Sequence, residues 1–256
     1  MHAQPRPEEA GERGKSVPIS QEGVSAPLEV LFRTWRKLYV GPRGRLLTVD
    51  STFDLSQLPP ELELPPAISA DTRSNVLGIA FEWNNKDYEY APTRGNLGGF
   101  DVDFSNESWG SDFEFTKYQL DYNHYLRLRK DDPKHLIAVR GTACHATSGA
   151  PFYELCLIGT SDAVRGYPGG QYRDQVSVTA QAEYRWNFKD RWSMAAFAGG
   201  FQVASSLSAL SDSAVLPSVG VGMRWLAAVE SRVNIRVDYA WGRDSSAFYV
   251  AIGEAF

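Results

Sequence analysis

Gln175-Val176-Ser177-Val178-Thr179-Ala180-Gln181-Ala182-Glu183-Tyr184-Arg185-Trp186-Asn187-Phe188 is the stretch that decides how this chain is read. From Val176 on, every second residue is apolar: Val176, Val178, Ala180, Ala182, Tyr184, Trp186 and Phe188. Ser177, Thr179, Gln181, Glu183, Arg185 and Asn187 lie between them, and all are polar. A strict period of two marks a β-strand with one apolar and one polar face. Just before it stands Val164-Arg165-Gly166-Tyr167-Pro168-Gly169-Gly170, a glycine-rich loop carrying one arginine.

The same alternation spreads outward from this strand. Upstream, Leu77, Ile79, Phe81 and Trp83 alternate with small or polar residues, as do Phe100, Val102 and Phe104; Tyr118, Leu120 and Tyr122; and Ile137 and Val139. Downstream, Val219, Val221, Met223 and Trp225 form one face, and so do Val233, Ile235, Val237, Tyr239 and Trp241. Leu38 to Phe53 is extended by pattern, and Leu28 to Trp35 is a helical turn or a strand. Gln57 to Ala70 contains Pro59-Pro60 and Pro65-Pro66 and is expected as a loop, because proline lacks the amide that a central strand donates. Asp131 to Lys134 is expected as a short turn, and Gly199-Gly200 as a bend or bulge. The segment from about Thr147 to Asp174 is a long connection, of the kind that usually carries function. Residues 1–26 are polar and lack aromatics, which predicts a disordered tail.

Composition bounds the possibilities. Apolar residues make up 43% of the 256 and mean hydropathy is −0.33, so no apolar run is long enough for a membrane helix. A membrane β-barrel averages to just such a composition, because polar residues line its inside and apolar ones its outside. The chain holds 7 Trp, 12 Tyr and 13 Phe, in keeping with aromatic girdles or with an aromatic core. Formal charge is −5 without a basic block, which gives no support for nucleic-acid binding. The start, Met1-His2-Ala3-Gln4, shows no signal peptide.

Val164-Arg165-Gly166-Tyr167 resembles the Val-Arg-Gly-Phe/Tyr motif of the BamA/TamA-like superfamily of outer-membrane barrels, the bacterial surface antigen family. Pro92-Thr93-Arg94-Gly95, Pro151-Phe152-Tyr153-Glu154-Leu155 and the ending Gly253-Glu254-Ala255-Phe256 are similar to that family too, the last to members without POTRA domains. The resemblance covers roughly residues 74–256. It implies an all-β fold: an antiparallel transmembrane β-barrel over residues 27–256, of about ten strands within a range of about eight to twelve. The loop at about 147–174 would fold back inside, and residues 1–26 would form a periplasmic tail too short for a POTRA domain. It implies outer-membrane location and a role in inserting or moving protein or lipid there. The implied surroundings are outer-membrane lipid, with a homo-oligomer or a separate periplasmic protein as partner.

In relatives the loop arginine pairs with a carboxylate on a neighbouring strand. One form of that acceptor falls where this chain has Phe197-Ala198-Gly199-Gly200-Phe201, without an acid. Glu183 and Asp238, both on the polar face, are the candidate acceptors for Arg165. Phe248, Val250, Ile252 and Phe256 of the last strand resemble a barrel-insertion signal. Cys144 and Cys156 flank a turn at Ser148-Gly149-Ala150-Pro151; the spacing permits a disulfide and equally two separate thiols.

No enzyme is expected. His2, His124, His135 and His145 are scattered without metal-ligand spacing, no Gly-x-Ser-x-Gly elbow is present, and no helix follows the glycine loop to make a phosphate cradle. Neither a metal nor a cofactor is expected. Two other functional classes fit the alternation: a passive pore or structural membrane barrel, and a soluble ligand-binding barrel with its apolar face inside.

Overall fold

The computed structural model describes residues 19–54, 67–129, 132–159 and 164–256. They form one antiparallel meander. In chain order the strands are β1 (Ile19–Glu29), β2 (Phe32–Trp35), β3 (Leu38–Asp54), β4 (Ala67–Arg73), β5 (Val76–Asn84), β6 (Gly95–Ser105), β7 (Phe115–Arg129) and β8 (Asp132–Ala146). The two-residue strands β9 (Cys156–Leu157) and β10 (Arg173–Asp174) follow, then β11 (Val176–Lys189), β12 (Trp192–Ala204), β13 (Leu216–Ala228), β14 (Val233–Trp241) and β15 (Ser246–Ile252). The main sheet runs β1-β3-β5-β6-β7-β8-β11-β12-β13-β14-β15, with β2 and β4 on β3. β9 and β10 pair only with each other. Among the described residues no ladder joins β1 to β15.

The alternation does what its period requires. Along β11, Gln181, Glu183 and Arg185 are buried, while Tyr184, Trp186 and Phe188 are exposed. Along β14, Asn234, Arg236, Asp238 and Ala240 are buried, and Ile235, Val237, Tyr239 and Trp241 are exposed. Polar side chains therefore face inward and apolar ones outward, the reverse of what the soluble-carrier reading needs. The sheet curls: Tyr125 of β7 and Leu136 and Ala138 of β8 pack on Ala255 and Phe256, although β8 and β7 stand five and six strands away from β15 along the sheet.

Several boundaries differ from the sequence expectation. Residues 19–26, expected in a disordered tail, are part of β1, whose ladder on β3 runs unbroken from Ile19↔Phe53 to Glu29↔Arg43; residues 1–18 lie outside the described set. Backbone pairing to a long neighbour overrides the polar composition there. Ala67 to Ala70, expected in the proline loop, belong to β4 on the same neighbour, and the proline pairs lie outside the described residues. β8 begins at Asp132, so Pro133 sits at the start of a strand, where a missing donor is tolerated. Gly199-Gly200 is no bulge: Gly199↔Gln181 and Gly200↔Ala180 pair in sequence. The reason for glycine is space, since a Cβ on Gly199 would come within 2.8 Å of Gln181 Cα. The last strand ends at Ile252, before Phe256, because Gly253 adopts φ +90° and turns the chain inward.

Connections at one end of the sheet are short: residues 36–37, 130–131, 190–191 and 229–232, with 85–94 the longest. At the other end lie 106–114, 205–215 and the long connection 147–172, which carries β9. This long connection does not run over the surface; it enters the interior of the curl.

Candidate functional site

The interior connection is fastened at two places. The first involves Pro151 to Cys156. Cys156 is disulfide-bonded to Cys144 of β8 (Cα–Cα 5.7 Å) and is 1% exposed. Glu154, also buried, bonds to the Arg45 guanidinium of β3, accepts from Ser74 Oγ at 2.9 Å, and lies 3.9 Å from Lys117 Nζ of β7. Tyr153 Oη and Thr72 Oγ1 of β4 are 3.0 Å apart.

The second place is the arginine motif. Arg165 Nη1 donates to Asp238 Oδ2 of β14 at 2.5 Å. Its Nη2 donates to Glu183 Oε2 at 2.6 Å and to Gln181 Oε1 at 2.7 Å, both on β11. The guanidinium lies 3.4 Å above the Phe197 ring of β12, and Ser218 Oγ of β13 donates to the Arg165 carbonyl. The strand that lacks the acid thus supplies a flat aromatic seat, a favourable surface for a cation. Both candidate acceptors converge on the one guanidinium. Gly166 N–H donates to Tyr249 Oη of β15 at 2.8 Å, and Tyr167 Oη donates to the Pro217 carbonyl at 2.6 Å. Val164 and Tyr167 pack with Ile158, Phe201 and Leu216.

Around this arginine the charges continue toward the short-turn end. Arg224 bonds to Asp238 and lies 3.3 Å from Glu183; Arg236 Nη1 donates to Asp238 Oδ2 at 2.8 Å; Arg185 Nε donates to Glu183 Oε1 at 2.6 Å. The carboxylate of Glu254, carried in by the turn at Gly253, lies 3.1 Å from Arg224 and 3.5 Å from Arg185, and accepts from Asn234 at 2.5 Å. Arg185 also donates to the Phe256 backbone oxygen at 2.9 Å. Four arginines therefore share three carboxylates in a dry interior, where removing one member leaves a charge unpaired at high cost.

Phe248, Val250 and Ile252 point outward and are exposed at 63–77%, whereas Phe256 is buried against β7 and β8. The four residues named as an insertion signal are therefore divided between two faces. Phe197, Gln181, Ser218 and Arg224 were not singled out in the sequence. Phe197 and Gln181 could have been found by asking which inward neighbours flank Glu183 in register: Glu183↔Phe197 is a direct cross-strand pair.

Among the described residues the interior holds a cavity of about 330 Å3 toward the short turns and another of about 340 Å3 beside the disulfide. Among the described residues no group of three His, Cys, Asp or Glu side chains is placed to hold a metal ion. In the 85–94 connection, Asp87 accepts from the Thr93 hydroxyl (2.5 Å) and N–H (2.8 Å), from Arg94 N–H (3.2 Å) and from Arg127 Nη2 (3.2 Å). Partial burial pushes its pKa up, but these donors and the Arg127 charge outweigh that and hold it below the usual carboxylate value.

Comparison with known proteins places this arrangement. The Omp85 superfamily domain matches residues 67–256. The outer membrane protein assembly factor BamA of Nitratidesulfovibrio vulgaris is 26% identical over 209 residues, covering 72% of this chain and 26% of that protein. The chain thus spans about a quarter of that curated relative's length. In fold it is similar to the crystal structure of BamA from Haemophilus ducreyi lacking POTRA domains 1-3, with TM-score 0.66 and 16% identity, covering 93% of this chain and 55% of that one.

Proposed function

The chain belongs to the Omp85 superfamily, and on that premise we propose that it is an integral outer-membrane β-barrel that aids the insertion or transport of protein or lipid. One observation carries the membrane reading: along β5 to β15 the outward side chains are apolar and exposed, while the interior holds a charged network closed by the arginine loop. In water that outer face would be a contiguous apolar patch far larger than soluble monomers carry; in lipid it is matched to its solvent. The assembly role rests on membership of the superfamily and on the likeness to BamA.

Among the described residues the edges β1 and β15 present unpaired backbone, which in hydrocarbon costs several kcal/mol per group. They are completed by residues of this chain outside the described set, by a second copy or by another protein. The mass of the detergent-solubilised particle distinguishes these cases against the 28.5 kDa of one chain. A particle monodisperse without detergent overturns the membrane reading.

The assembly role is tested with liposomes containing the purified chain and a urea-unfolded outer-membrane barrel protein as client. The expected result is client folding, read by protease protection, at least several-fold faster than in empty liposomes. Equal rates leave a second reading, a passive pore, which the two interior cavities favour. That reading predicts stepwise conductance in a planar bilayer.

A further inference from the structure

The cavity at the short-turn end has a charge opposite to that of the chain. Six cations line it, Lys134, Arg185, Lys189, Arg191, Arg224 and Arg232, against two acids, Asp190 and Glu254, in a protein of formal charge −5. Arg185 and Arg224 are already engaged by Glu183 and Glu254. The other four cations come from two turns, β11–β12 for Lys189 and Arg191 and β13–β14 for Arg232, and from the start of β8 for Lys134, and among the described residues no salt bridge reaches them. Arg232, at the β13–β14 turn, is held over the Tyr88 ring at 4.4 Å and so is kept at the mouth. Like charges brought together at a cavity of about 330 Å3 repel one another unless an anion joins them.

The remaining wall is mixed, with Thr93, Asn187, Ser193 and Asn234 beside apolar side chains. Phe188 ends the outward face of β11 and Trp192 begins that of β12; both are 42% exposed, and both line the same cavity. The basic mouth therefore borders the residues that begin the aromatic rim of the outer face. A free inorganic anion has no use for that wall, whereas a lipid would lay its phosphate among Lys189, Arg191 and Arg232 and its first acyl carbons along Phe188 and Trp192. Aromatic side chains at this level are suited to the headgroup region of a bilayer, and clustered Lys and Arg there attract anionic headgroups.

We infer that the short-turn mouth is a binding site for one phospholipid with an anionic headgroup, drawn from the adjoining leaflet. This inference rests on the membrane-spanning reading. The test is native mass spectrometry of the full chain released from detergent after incubation with dioleoyl phosphatidylglycerol or with dioleoyl phosphatidylcholine. The expected result is one retained phosphatidylglycerol with at least tenfold preference over phosphatidylcholine, reduced to within about twofold by K189Q/R191Q/R232Q. Lys134→Gln alone, across the cavity, should lower the preference several-fold and guards against misfolding of the triple variant. Arg73→Gln, an exposed cation at the far end of the sheet, should leave it unchanged. Undiminished preference in the triple variant overturns the site. Retention of millimolar inorganic phosphate in place of lipid overturns the lipid assignment. A chain that needs detergent but shows no headgroup preference overturns this inference alone; a chain that is monodisperse without detergent overturns the membrane reading beneath it.

Discussion

The two fastenings of the interior loop make a contrast. Around Cys156 the loop is held by a covalent bond, the Glu154 ion pair and hydrogen bonds, and its partners are β3, β4, β7 and β8 on the N-terminal side of the meander. Around Arg165 it is held by charges, hydrogen bonds and packing without a covalent bond, and its partners are β11, β12, β13, β14 and β15 on the C-terminal side. The first fastening loses little with a single charge but is sensitive to reductant. The second is indifferent to reductant but depends on every member of a network in which four arginines share three carboxylates. The difference teaches that one loop can be redundant in position without being redundant in chemistry.

The largest expected effect comes from the ionic side. Arg165→Ala strips a charged donor from each of the buried Glu183 and Asp238 and should lower unfolding free energy by about 3–5 kcal/mol. Urea titration followed by heat-modifiable gel mobility measures this, and an unchanged midpoint would remove the ionic fastening from the argument. Because both residues belong to one network, Arg165→Ala combined with Glu183→Gln should cost less than the two added together.

Next comes the covalent side. Cys144→Ser, or reduction of the native chain, should cost about 2–4 kcal/mol by freeing the unfolded chain and should leave residues near Arg165 protected from protease. Exposure of both halves of the loop on reduction would show that the fastenings are one unit, and would break the comparison. Glu154→Gln is milder, because the Arg45 side chain facing it is 32% exposed. A loss of about 1 kcal/mol is expected, since the glutamine still accepts from Ser74.

The smallest effect lies outside both fastenings and serves as a reference. Asp87 has its pKa lowered in the folded chain, so its contribution is fully present above the ordinary value of 3.8 and is lost as pH falls through the lowered one. Asp87→Asn should therefore flatten part of the stability decline below about pH 4 and change nothing at neutral pH beyond the lost ion pair. A variant whose acid limb matches the parent's would contradict this.

Much of this was legible in the sequence, and the residues show why. Period two over Val176 to Phe188 fixes the strand and sorts its side chains into two sets, and parity alone puts Glu183 and Asp238 in the same set as the face that Arg165 enters. Parity does not say which set is inside; the burial of Glu183 and Arg185 and the exposure of Trp186 and Phe188 do. Nor does it fix height along a strand, so Phe197 was read as the place where an acid was missing rather than as the ring beneath the guanidinium. Glu154 and Arg45 are 109 positions apart, and no local pattern links them. β1 was misread because its residues 20–29 are exposed throughout, Val24 at 78% and Leu28 at 70%, so no buried face writes a pattern into them.

A hoop keeps its shape through its circumference; a wheel keeps it through its spokes. The described strands leave β1 and β15 unjoined and so form no complete hoop by themselves; the loop residues Glu154 and Arg165, fastened to opposite sides of the wall, act as its spoke. The cross-section at Arg165 is then set by the reach of about a dozen residues of chain rather than by the number of strands in the rim.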